Sequence, residues 1–119
     1  MDLERFSEAI DRKIWTASRT DMAMMGGITF CKKAIELSEN ANIDCEIMSW
    51  GYTLVSVANL HLMLSSNNCS FYEQPLPYET FEFGMHDVLR TKKDGYMHAP
   101  TKPGLGVEIN WDQMKEMNS

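Results

Sequence analysis

Basic residues, cysteine, proline and long apolar runs are all scarce in this sequence. Lys and Arg total 11 against 17 Asp and Glu, for a net charge of −6. That balance excludes the basic footprint of a phosphate-backbone binder and gives no hold on an anionic membrane surface. Neither nucleic acid nor membrane is therefore expected as a partner. No apolar run approaches the ~20 residues that span a bilayer. Met1-Asp2-Leu3-Glu4-Arg5 lacks the basic-then-apolar order of a signal peptide, so a cytoplasmic location is expected. Cysteine occurs only as Cys31, Cys45 and Cys69, an odd number without paired spacing. Reduced, mostly buried thiols are expected in place of a disulfide framework. What is present is ordinary globular composition, 44% hydrophobic and 24% charged, over 119 residues that suit one domain.

Leu3, Phe6, Ile10 and Ile14 recur at steps of three to four, which predicts a helix over 3–13. Ile14 to Ser18 is a short β-prone run that leads through Arg19-Thr20 to Asp21. Gly26-Gly27 breaks the chain, and Thr29 is placed to cap a helix over 30–40 with Cys31, Ala34, Ile35, Ser38 and Ala41 toward one side. Cys45 to Ser49 is a second strand. Thr53 is placed to cap a third helix, with Leu54, Val57, Ala58, His61 and Leu64 on one face. Ser65 to Asn68 is a turn and Cys69 to Glu73 a third strand.

Helix and strand therefore alternate at a period of roughly 25–30 residues, the pattern of βα units with parallel strands and right-handed crossovers. A doubly wound sheet and part of a (β/α)8 barrel both fit. In a barrel, chemistry sits where strands end, and here those points carry Asp21, Ser49-Trp50 and Glu73. From Gln74 the texture changes: residues 74–106 hold all four prolines and four of the seven glycines. The expected division is 1–73 as the βα units and 74–119 as an irregular tail that packs back over them. Tyr78, Phe81, Phe83 and Tyr96 are its candidate packing anchors, and a short helix over 111–117 closes it.

Asp21 five residues before Gly26-Gly27-Ile28-Thr29, then Tyr72-Glu73, then a proline–glycine tail through Pro100, Pro103, Gly104 and Gly106 stand in a telling order. This arrangement, from about Leu3 to Trp111, resembles the C-terminal third of the mandelate racemase/muconate lactonizing enzyme family of the enolase superfamily. The resemblance implies the last three βα units of a TIM-type barrel in a Mg²⁺-dependent enzyme. Such enzymes remove the proton α to a carboxylate. It matches Asp21 to the aspartate of an Asp–His dyad; an aspartate that caps the Gly26-Gly27 turn is the structural alternative. Glu73 matches the glutamate that, when protonated, donates to the substrate carboxylate; a salt-bridged rim glutamate is the alternative.

Ser49 and Trp50 stand where racemase-like members end the seventh strand in a basic histidine, and they become candidate substrate-binding residues. Indole cannot take a proton at working pH. His61 reads as helix packing, and His86 and His98 as loop residues outside any metal-ligand spacing. Glu4, Glu8 and Asp11 read as a solvated helix face. No metal ligand is therefore assigned to this chain. The family's carboxylate ligands and lysine base would lie before Met1, so the implied Mg²⁺ belongs to the whole enzyme. The implied partners are a small carboxylate, most simply an acid sugar, the N-terminal part of the enzyme, and further copies of that enzyme in a homo-oligomer. With Trp50 in place of a second base, dehydration is favoured over racemisation or cycloisomerisation. A small non-catalytic α/β binding domain is the alternative of another class.

Overall fold

A computed structural model describes residues 2–49 and 51–116. Its elements are α1 (Leu3–Asp11), β1 (Ala17–Thr20), α2 (Ile28–Asn40), β2 (Asp44–Ile47), α3 (Thr53–Leu64), α4 (Tyr78–Phe81) and α5 (Trp111–Glu116). The alternation read from the sequence is present, with shorter strands.

Capping explains where the first elements stop. Asp2 caps α1, its carboxylate accepting from Arg5 N at 2.8 Å. Lys13 closes the helix in the left-handed region (φ 52°), with Lys13 N bonded to Ile10 O and Ile14 N to Ala9 O. This is a Schellman turn, and it carries Ile14 out to 60% exposure. The first strand accordingly begins at Ala17, not at Ile14. The end of α2 repeats the device with Asn42 (φ 55°), Asn42 N bonded to Glu39 O and Ile43 N to Ser38 O. At the start of α2 the N-cap is Gly27 (φ 116°), not Thr29, which lies exposed in the first turn. Tyr52 likewise holds the cap position of α3, and Thr53 is its first helical residue.

β1 and β2 pair in parallel, Ala17 with Asp44 through Thr20 with Ile47. On both strands burial alternates, so Ser18, Thr20, Cys45 and Ile47 face the helices while Arg19 and Glu46 stand on the opposite face. The expected third strand over 69–73 is reduced to one parallel bridge, Ile47 to Tyr72, plus Cys45 N to Asn68 O at 2.8 Å. Among the described residues nothing pairs with the far edge of that segment, and a single neighbour holds it at one register point.

Phe6, Cys31, Ala34, Ile35, Cys45, Ile47, Leu62 and Met63 form the core between sheet and helices, with Trp15 tilted onto Phe6 at 5.2 Å. The helix α2 buries Cys31, Ala34, Ile35 and Ser38 as its periodicity requires, but Ala41 is exposed at its cap. The one-sided reading of α3 fails. Val57, Ala58, Leu60, Leu62 and Met63 are all buried, and Leu64 is 56% exposed. The second covered side comes from residues after Glu73: the His61 ring bonds Leu105 O at 3.1 Å, and Thr53 Oγ1 donates to Phe81 O.

Polar contacts order the segment after Glu73. Arg90 makes a two-pronged bond to Glu82 and lies over the Tyr78 ring. Asp87 accepts from Lys102 Nζ and Glu108 N, each at 2.8 Å. Tyr78, Phe81 and Phe83 are half-buried, whereas Tyr96, also expected as an anchor, is 71% exposed. Among the described residues no helix is long and apolar enough to cross a membrane.

Candidate functional site at the strand ends

Asp21 follows the last residue of β1 and is only 2% exposed. Its Oδ1 accepts from Met24 N at 2.8 Å, and its carbonyl accepts from Met25 N. The carboxylate thus closes the turn that leads to Gly26-Gly27. None of the three histidines is bonded to it among the described residues. His61 binds Leu105 O, His98 Nε2 pairs with Asp94 at 2.7 Å, and His86 uses its backbone N–H on Glu108 O.

The next rim position is held by a residue that periodicity did not single out. Asn59, fully buried on α3, accepts from Met22 N at 3.0 Å and donates to Met48 O at 2.9 Å. One amide therefore joins the chain leaving β1 to the chain leaving β2. Met48 N makes the last ladder bond, to Thr20 O, and β2 ends at Ile47, two residues before Ser49. Ser56 Oγ donates to Ser49 O at 2.9 Å and holds that residue in place. Trp50 lies outside the described residues.

Glu73 meets Ser49 here. Glu73 Oε2 accepts from Ser49 N at 3.3 Å, and Oε1 accepts from Arg19 Nη2. Arg19 also faces its strand partner Glu46 at 3.6 Å. The hydrogen bond from Arg19 to Glu73 raises the guanidinium pKa despite some desolvation, and the charges of Glu73 and Glu46 add to it. These side chains, with Ile47, Phe71 and Tyr72, line a concavity of about 230 Å³. Behind it, the Ser49 hydroxyl and the Tyr72 phenol are buried without a hydrogen-bond partner among the described residues. Burial pushes the Tyr72 phenol up from its ordinary range, while the neighbouring Ser56 and Ser49 hydroxyls oppose that shift.

Two of the four candidate site residues are thus brought together, Ser49 and Glu73. Asp21 is occupied by its own turn, and no hydrogen bond or ion pair joins it to Glu73 among the described residues. Sequence reasoning missed Arg19, Glu46 and Asn59. Arg19 was findable, since it stands between Ser18 and Thr20 on β1 and in a period of two must point away from the helices that they face. The partnership of Asn59 had no local signal. Among the described residues no group of three or more His, Cys, Asp and Glu is placed to hold a metal ion. A Mg²⁺ site needs several oxygens held together, and the described residues gather no such set.

The family described as enolase C-terminal domain-like matches residues 1–113. A D-galactonate dehydratase from Klebsiella pneumoniae (strain 342) is 31% identical over 82% of this chain and 27% of its own length. Among solved structures, a mandelate racemase/muconate lactonizing enzyme homologue from Pseudovibrio sp. superposes with a TM-score of 0.90 at 43% identity, over 96% of this chain and 30% of that one. D-glucarate dehydratase from Agrobacterium tumefaciens, solved with magnesium, superposes with a TM-score of 0.82 at 26% identity, again over 96% and 30%. The chain spans under a third of the length of each of these relatives. Its fold corresponds to the C-terminal part of their TIM barrels.

Proposed function

The chain belongs to the enolase C-terminal domain-like family, and from that premise we propose that it serves as the C-terminal part of an acid-sugar dehydratase. The observation that carries this reading is the placement of Glu73 beside Ser49 N at the rim of parallel strands, in a chain similar to proteins named D-galactonate and D-glucarate dehydratase. In this reading residues 1–73 supply barrel wall and rim, and residues 74–119 the tail. Mg²⁺ and the lysine base belong to residues outside this chain; the metal, when bound, would stabilise the enediolate formed on loss of the α-proton.

Within the chain, Glu73 hydrogen-bonds the substrate carboxylate. Arg19 and Ser49 N both donate to Glu73 in the structure, so the Arg19 ion pair must open before Glu73 can act as a donor. Asp21 holds the turn after β1 and with it the rim position that an Asp–His dyad occupies in racemase-like members. Of the two candidate substrate-binding residues, Trp50 keeps that role, while Ser49 is fully buried and acts through its N–H on Glu73. Racemisation needs acid/base groups on both faces of the α-carbon, and indole at position 50 removes one of them, which favours dehydration.

The test is to assay the whole gene product that contains this chain against a panel of aldonic and aldaric acids in D₂O. The expected product is a 2-keto-3-deoxy acid, abolished by Glu73→Ala and reduced by Asp21→Asn. Exchange of the α-proton with inversion and no dehydrated product would instead establish a racemase.

A further inference from the structure

At the opposite end of the strands from Asp21 and Glu73 lie two thiols that the proposed chemistry does not use. Cys45 is fully buried in the core, beside Ser18 and Ser38, whose hydroxyls are bonded to each other at 2.7 Å. Its backbone N–H donates to Asn68 O at 2.8 Å, so the chain at Cys69 runs alongside β2, in the same parallel direction as the Ile47–Tyr72 bridge further on. That backbone bond sets Cys45 and Cys69 side by side on neighbouring stretches of chain. Adjacent strands lie about 5 Å apart, within the Cα separation that a disulfide spans, roughly 4.4–6.8 Å. Cys69 is half-buried and lines a cleft of about 520 Å³ with Leu60, Met63, Phe71, Tyr72 and Tyr96, whereas Cys45 is fully buried, so Cys69 is the residue of the pair nearer to solvent.

We propose that Cys45 and Cys69 form a redox-active dithiol, an oxidation site that closes to an intramolecular disulfide on reaction with a hydroperoxide. The cleft-facing Cys69 passes its proton to the Cys45 thiolate and attacks the O–O bond of hydrogen peroxide; it becomes a sulfenic acid, and the other peroxide oxygen leaves as hydroxide, which takes the proton back from Cys45. Cys45, as thiolate, then attacks the Cys69 sulfur and expels a second hydroxide. The two thiol protons convert both to water. Two thiols lose two electrons in all, and the peroxide gains them.

The surroundings suit the second step. Cys69 as a hydrogen-bond donor brings the Cys45 thiol down to about 7 against the effect of burial, with Ser18 and Ser38 assisting, and the same contact together with burial pushes the Cys69 thiol up, so Cys45 is the partner that carries the negative charge. The order in which the two protons leave belongs to the pair and not to either sulfur. Cys31 takes no part. Burial pushes its thiol up to about 11, and it is engaged with Thr20 Oγ1 at 3.8 Å.

The experiment treats the purified full chain with a slight excess of hydrogen peroxide, then alkylates under denaturing conditions. The expected result is an intact mass lower by two hydrogens. A non-reducing peptide map then joins Cys45 to Cys69, with Cys31 alkylated. Cys31→Ser should leave the product unchanged, and Cys69→Ser should abolish it. The wild-type map needs no variant, so a misfolded substitution leaves the test intact. Free thiols at both positions, over-oxidation of Cys69 without a cross-link, or a bridge through Cys31 or between chains would each overturn the proposal.

Discussion

Replacing Asn59 by leucine tests the reasoning about the rim most directly. Asn59 is fully buried and holds two backbone groups, Met22 N and Met48 O. Leucine keeps the branched four-heavy-atom frame of asparagine, so no cavity results and the main cost is that of two orphaned polar groups. Each such group costs about 1–3 kcal/mol when it stays dry. Met22 and Met48 are half-buried, and water can reach them once the amide is gone. The low end therefore applies, a loss of about 2 kcal/mol for the pair. That is a substantial part of the ~5–15 kcal/mol that separates folded from unfolded in a typical domain. Urea unfolding followed by circular dichroism gives the total, and amide hydrogen exchange gives the location. Exchange at Met22 should accelerate far more than exchange within α2. Asn59→Asp keeps the acceptor for Met22 N but sets a carboxylate against Met48 O, so Met22 should stay protected while stability falls. A leucine variant within about 0.5 kcal/mol of the wild type, with Met22 still protected, would refute the view that this amide joins the two strand ends.

Glu73→Gln should change stability by no more than about 1 kcal/mol, because its partner Arg19 is half-exposed and such pairs are weak; a larger loss in denaturant titration would show that Glu73 is a folding residue. The pKa of Asp87 is lowered by Lys102 first and by Glu108 N as well, and that of Asp94 by Tyr96 N and then His98. Carboxylates depressed in this way stabilise the fold fully above their unfolded pKa of about 4 and lose that contribution as pH falls through the lower folded values. Pepsin should accordingly cut between 85 and 108 ahead of the helices α2 and α3 as the pH is lowered, and simultaneous cleavage would contradict this. The far edge of 69–73 is unpaired among the described residues, and Phe71 beside it is 73% exposed, so the isolated chain should self-associate; a monodisperse monomer at micromolar concentration in sedimentation velocity would count against it.

Local signals in the sequence determined a good deal about this protein. Apolar residues at helical spacing located α1, α2 and α3, because a helix must turn one stripe toward the core wherever it packs. The Gly26-Gly27 pair marked the entry to α2, since the backbone there takes positive φ at both residues. Alternation of the elements implied parallel strands, and the order of Asp21, Gly26-Gly27 and Glu73 carried the family. Each of these depends on residues near one another in the chain. The tertiary structure decided the rest. Ile14 fits the helical spacing and has a strand-forming side chain, yet a left-handed turn at Lys13 carries it into solvent. The segment 69–73 reads as a strand, but a strand exists only to the extent that neighbours bond it, and here a single bridge does so. The burial of α3 on both sides depends on a segment some forty residues further along, which no pattern within the helix can encode. The partnerships at the rim, Arg19 with Glu73 and Asn59 with Met22 and Met48, are fixed by packing between distant segments. Residue types told which groups can donate or accept there; only the folded chain chose the pairs.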